Sequence, residues 1–228
     1  MRKVVLLFLM VLCGIVSSFS QEPIKFLGIP VDGTRVNFVR QLQSKGFIRN
    51  IKQGQNTFRG EFNGRNVNVR VVDYHGKVWR VLVSTDIISE KDIKISFNNL
   101  VYQFDRNKKY FSLDSIQTIS EQEDVYFGIL QNKRYEANYY LRPTSADQEL
   151  LSTEYSNQIR KQYGDKKFKD LSEGEINKFY NETLSWSLTR LLKNHVWFMI
   201  DKLDNIIDSY QILLFYDNEA NHDTDSDL

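Results

Sequence analysis

Histidine, cysteine, serine and paired acids are the side chains that carry most protein chemistry, and their spacing in this chain is informative. The histidines are His75, His195 and His222, and no two stand four residues apart, the spacing that places two zinc ligands on one helix face. Cys13 is the only cysteine. Neither a metal ligand nor a catalytic histidine is therefore expected: His75 falls in a turn, His195 at a helix-to-strand junction and His222 in a C-terminal tail. Serine offers no Gly-x-Ser-x-Gly elbow, and Ser152, Ser172 and Ser185 read as helix surface, helix cap and helix surface. Glu121, Glu123 and Asp124 share one loop, with Glu136 on the polar side of the next strand. Glycoside hydrolysis needs two carboxyl groups about 5–10 Å apart across a cleft, and a loop cluster of this kind is ordinarily solvated. Asp217, Glu219 and Asn221, then Asp223, Asp225 and Asp227, alternate like the first ligands of a calcium loop. Such a loop also needs a glycine at position six and an acid at position twelve, which this run does not supply. Gly54, Gly60 and Gly64 read as hairpin glycines rather than a phosphate loop, because none leads from a strand into a helix. No catalytic residue, cofactor or metal site is expected.

The surface with most recognition chemistry is the polar alternation of a predicted meander, where Arg59, Asn66, Asn68, Arg70 and Arg80 stand beside Glu61. Arginine and amide groups on adjacent strands can hold a partner protein or a glycan through hydrogen bonds; a solvated sheet face is the plainer reading. Tyr126 and Tyr140, on later strands, could add amphipathic contact area or lie under covering helices.

These residues need a framework. Residues 24–29 read as an opening strand stopped at Pro30; Thr34 is a plausible N-cap for a helix carrying Phe38, Val39 and Leu42, closed by Gly46. Phe58, Gly60 and Phe62, then Val67, Val69 and Val71, alternate with polar residues, and Asn63-Gly64 between them is a preferred two-residue hairpin turn. His75-Gly76 repeats the device before a third strand in which Trp79, Val81 and Val83 are expected on one side. Ser89 and Asp92 resemble a capping box before a helix with the stripe Ile93, Phe97, Leu100, Val101 and Phe104. Strands are then expected at 110–113, 125–130 and 134–141, the last two joined by Asn132-Lys133.

Residues 145–194 read as a two-helix insertion, the first helix ending at Gly164 and the second opened by Ser172 and Glu175 with the stripe Ile176, Phe179, Tyr180, Leu184, Leu188, Leu191 and Leu192. Strands return at 196–203 and 210–216, before an acidic tail at 218–228 expected to be disordered. The fold class is α+β: an antiparallel sheet with helices on one face. The order suggests two helix-plus-four-strand units, 21–88 and 89–217, the second holding the insertion, with 77–86 and 195–204 as matching strands.

Residues 1–20 have the form of a cleavable signal peptide: Arg2 and Lys3, an apolar run from Val4 to Val16, and Ser18-Phe19-Ser20 before Gln21. The run is shorter than the roughly 20 residues that span a bilayer, which disfavours a permanent anchor, and no later segment is long and apolar enough for a transmembrane helix, so no span is expected in the mature chain, which would be periplasmic or extracellular. Cleavage would remove the only cysteine, and with it thiol, disulfide and cysteine-ligand chemistry, and would leave 28 basic against 29 acidic residues. That balance gives no electrostatic reason to expect nucleic acid.

The segments "FLGIPVDGT", "FVRQLQSKGF", "GEFNGRNVNV" and "YHGKVWRVLV" resemble those of a group of exported proteins of unknown function from gut-dwelling anaerobic bacteria, over most of residues 24–217. The resemblance implies an extracytoplasmic address and an α+β fold. In topology the helix-plus-four-strand unit is similar to β-lactamase-inhibitor proteins and to small outer-membrane-assembly lipoproteins, a likeness that carries no function. The expectation is a non-enzymatic exported binding module for a protein or cell-envelope component. A glycan-binding or glycan-processing accessory protein is the alternative, favoured if two of Trp79, Trp186 and Trp197 line an open cleft with paired carboxylates. A structural envelope protein without a ligand is the third.

Overall fold

The computed structural model describes residues 22–54, 56–145, 149, 153, 156–157, 161, 172–203 and 208–222. The expected signal peptide, most of the first insertion helix and the tail beyond His222 lie outside the described residues. The chain forms two compact units, one taking in Pro143–Thr183 and the other Pro23–Arg142 with Leu184–Leu228.

The larger unit opens with a small hairpin instead of the expected single strand. β1 (Lys25–Phe26) turns back into β2 (Ile29–Pro30) through Leu27 and Gly28, both at positive φ, so Ile24, Phe26, Ile29 and Val31 are all buried. Thr34 caps α1 (Arg35–Ser44), its hydroxyl accepting from the Asn37 amide at 3.4 Å, and Gly46 at φ 92° closes the helix. β3 (Ile48–Arg49), β4 (Thr57–Phe62), β5 (Arg65–Tyr74) and β6 (Lys77–Thr85) follow as a meander. Asn63-Gly64 and His75-Gly76 turn it with positive φ at all four residues, as a type I′ turn requires.

Ser89 caps α2 (Glu90–Arg106), which buries Ile93, Phe97, Leu100 and Val101. β7 shrinks to Tyr110–Phe111. The expected strand at 125–130 is instead α3 (Val125–Leu130): the Asp124 carboxylate caps it by accepting from the Phe127 amide at 2.7 Å, and Gly128 lies so close to the Tyr135 hydroxyl that no Cβ would fit. Capping and tertiary packing override the strand preference of this apolar run. Asn132, at φ 64°, ends the helix rather than turning a hairpin into β8 (Glu136–Leu141). α4 (Glu173–Leu191) then starts in the smaller unit, where Ser172 and Glu175 form the expected capping box with the Ser172 amide donating to Glu175 Oε2 at 2.8 Å, and ends in the larger. β9 (Asn194–Lys202) and β10 (Tyr210–Asn218) complete the sheet.

The eight strands run β3-β4-β5-β6-β10-β9-β8-β7, antiparallel throughout. The fold is α+β, with α1 over β5 and β6 and α2 over β9 and β10. The order is symmetric about the β6–β10 seam. In that symmetry the counterpart of β6 is β10, so the matching of 77–86 with 195–204 is one strand out. Val67, Val69, Val81, Val83, Val196, Phe198, Ile212 and Leu214 alternate onto the helix side and form one core with Phe38, Leu42, Ile93 and Phe97. The opposite face of the sheet carries the remaining side chains of every strand.

Candidate functional site

The face away from α1 and α2 is built around a bulge. Val72 pairs with Arg80 but Asp73 pairs with Val78, leaving Trp79 as an extra residue without a partner. The core explains it: Val78 and Val81 are both fully buried, and residues three apart share a face of a strand only if one is extra. Trp79 is therefore not on the side of Val81 and Val83, as the alternation predicts. It joins Arg80, with the Arg80 guanidinium 4.3 Å from its ring centroid.

Arg80 reaches across the seam to Asp217, its strand partner on β10. Nε and Nη2 donate to the two carboxylate oxygens at 2.7 and 2.6 Å, and Trp197 Nε1 donates to one of them at 2.9 Å. Asp217 is fully buried, and paired donors are what make such burial tolerable. Trp197 stacks on Phe215 at 3.9 Å with the rings 6° apart. Asp217 thus belongs to the sheet rather than to a calcium-like acidic run. His222 likewise leaves the expected tail to pack on Trp79 at 4.1 Å, and Asn221 donates to the carbonyl of Val78 and to Asp32.

His195 lies beside this cluster. Its Nδ1 is 3.1 Å from the Leu192 carbonyl and its Nε2 is 3.7 Å from Asp217 and 3.9 Å from Glu219. His195, Asp217 and Glu219 offer ligand atoms within 4.8 Å of one another, a trio that spacing along the sequence did not reveal. Both oxygens of Asp217 already accept from Arg80, so its charge is compensated within the sheet without a cation.

The five residues singled out by sequence share this face but not one environment. Register places Arg59 opposite Asn68, Asn68 opposite Ser84, Arg70 opposite Leu82 and Arg80 opposite Val72. Arg59 pairs with Asp86 at 3.0 Å and Arg80 with Asp217. Asn66 and Arg70 are exposed, and their side chains have no ion pair or hydrogen bond among the described residues. Asn68 is only 7% exposed; its Oδ1 accepts from Asn50 Nδ2 at 3.0 Å. Asn68 and Arg70 line a groove of about 440 Å³ that crosses β4, β5, β6 and β10, together with Thr57, Leu82, Ser84, Gln211 and Leu213.

Glu123 and Asp124 of the expected loop cluster, and Glu136 on the strand after it, are engaged separately. Glu123 accepts from Lys133 and Tyr135, which hold its carboxyl below the usual range, Asp124 caps α3, and Glu136 pairs with Arg134 at 3.1 Å. Tyr126 stands exposed on α3, while Tyr140 faces His195 at 5.7 Å on the open face, its phenol pushed up chiefly by burial. Trp79 and Trp197 are both half-buried on that face; the Trp186 side chain lies outside the described residues. Gly60 sits mid-strand against the Phe47 ring rather than in a hairpin turn. Among the described residues no helix is long and apolar enough to cross a membrane. No family model, characterised protein or solved structure matches this chain.

Proposed function

We propose that this chain is an exported, non-enzymatic binding module that engages a protein or cell-envelope component through the open face of its sheet, acting in the periplasm or outside the cell. The observation that carries the reading is the groove across four strands of that face. α1 and α2 cover the other side of the same sheet. Half-buried Leu82 and Leu213 stand in the groove among polar groups, the mixture that protein interfaces use. The groove lies within the 300–1,000 Å³ typical of ligand sites. The signal-like residues 1–20 support the address.

A photoreactive residue at Leu82 should crosslink a partner in envelope extract, while the same residue at Tyr102, exposed on α2, should not. Crosslinking only from Tyr102 would place binding on the helix side and overturn the proposal.

The glycan alternative draws on Trp79 and Trp197 sharing this face with Asp217 and Glu219. Against it, Trp197 already has a ring face stacked on Phe215, Trp79 touches Arg80 and His222, and the Asp217 oxygens are occupied. Sugar stacking would need rings with open faces.

A further inference from the structure

We infer that the groove is a carboxylate site, with Arg70 as its anchor and an acidic peptide segment of a partner protein as its occupant. The inference rests on the open-face reading and names what that face recognises.

Arg70 presents its guanidinium at the groove without an acid or carbonyl of its own among the described residues. Of the lining residues only Arg70 and Asp86 carry charge, and Asp86 is paired with Arg59. Arg70 is therefore the one lining charge without a counter-ion among the described residues. Two residues along β5, Asn68 is more than nine-tenths buried and gives its Oδ1 to Asn50, so its own amide N–H groups have no acceptor among the described residues. Ser84, directly opposite Asn68 on β6, supplies a further hydroxyl with no described partner. Guanidinium, amide N–H and hydroxyl are all donors, and together with a single charge they match a carboxylate, which accepts at two oxygens.

Leu82, Leu213, Ile87 and Leu203 line the same groove and would take the aliphatic stem that brings the carboxylate in. Four adjacent strands span roughly 14 Å at their usual spacing of about 4.8 Å, the length of about four extended residues. A peptide with a Glu among apolar residues fills that length, whereas a free small acid would occupy only the part around Arg70.

The test uses the full chain and a fluorescein-labelled hexapeptide, Leu-Glu repeated three times, read by anisotropy beside its Leu-Gln counterpart. The Glu peptide should bind at least about tenfold more tightly, the loss expected for one charge-assisted contact. Arg70→Gln should remove that preference without moving the thermal midpoint, and succinate should compete only at concentrations far above the peptide's. Equal binding of the two peptides, no binding of either, or an unaltered preference in Arg70→Gln would overturn the carboxylate assignment. Displacement by succinate at concentrations comparable to the peptide's would overturn the peptide as occupant. Each failure is separable from failure of the open-face reading, because crosslinking from Leu82 does not depend on which group Arg70 holds.

Discussion

Arg70 and Arg80 stand on the same face of one sheet, on neighbouring strands, and do opposite things. Arg80 is spent on structure: its guanidinium completes a buried carboxylate across the β6–β10 seam and lies 5.1 Å from the Phe215 ring centroid. Arg70 is exposed and unpaired beside a groove. The difference lies in what the partner strand brings. Register sets Asp217 opposite Arg80 and Leu82 opposite Arg70. A polar sheet face is thus two regions, one locked by its own ion pair and one with donors to spare.

Cutting the locked region should have the largest effect. Asp217→Ala leaves Arg80 and the Trp197 N–H without their acceptor, and breaking a buried pair costs about 3 kcal/mol or more; urea unfolding should show the loss, with binding at Arg70 preserved wherever the chain remains folded.

Alkaline unfolding extends the comparison to the helix side. The Tyr210 phenol is buried, and that burial pushes its pKa up to about 12 from 10.0. The folded state therefore holds this proton more tightly than the unfolded chain does. The stability it contributes is fully present below pH 10 and is lost as pH rises from 10 to 12, a fall on the order of 2–3 kcal/mol for a shift of this size. Tyr139 and Tyr216, both raised chiefly by burial, steepen the same fall. Chemical denaturation at pH 9 and pH 11.5 measures it, and a flat profile would contradict the packing described for these phenols.

Gly60→Ala tests the core beneath the groove strands. The added methyl would lie 2.5 Å from the Phe47 ring, and overpacking of this kind costs about 1–3 kcal/mol. Peptide binding by the folded fraction should be unchanged, since Gly60 points to the helix side.

The local architecture could be read from sequence wherever a few adjacent residues decide it. Asn63-Gly64 and His75-Gly76 turn the meander, and Thr34, Ser89 and Ser172 open the helices, because their physics is contained within four residues. The run at 125–130 could not be read this way: its apolar residues suit either state, and Asp124 with the Gly128–Tyr135 contact decides. The bulge at Trp79 was present in the Val78–Val81 spacing, which violates strict alternation. At the site, the chemical types of Arg59, Asn66, Asn68, Arg70 and Arg80 were visible on one alternation. Which of them is free was not, because Asp217 lies 137 residues from Arg80 and only the β6–β10 pairing brings it there. The trio of His195, Asp217 and Glu219 was hidden for a related reason: it forms where adjacent strands meet, with no characteristic spacing along the chain.

The two arginines can be set against each other in one experiment, urea unfolding of Arg80→Gln and Arg70→Gln side by side. Arg80→Gln, which strands the buried Asp217 carboxylate, should lose about 3–5 kcal/mol, and Arg70→Gln should change stability by no more than about 0.5 kcal/mol. Equal losses, or a larger loss at Arg70, would contradict the division of this face into a locked region and a free one.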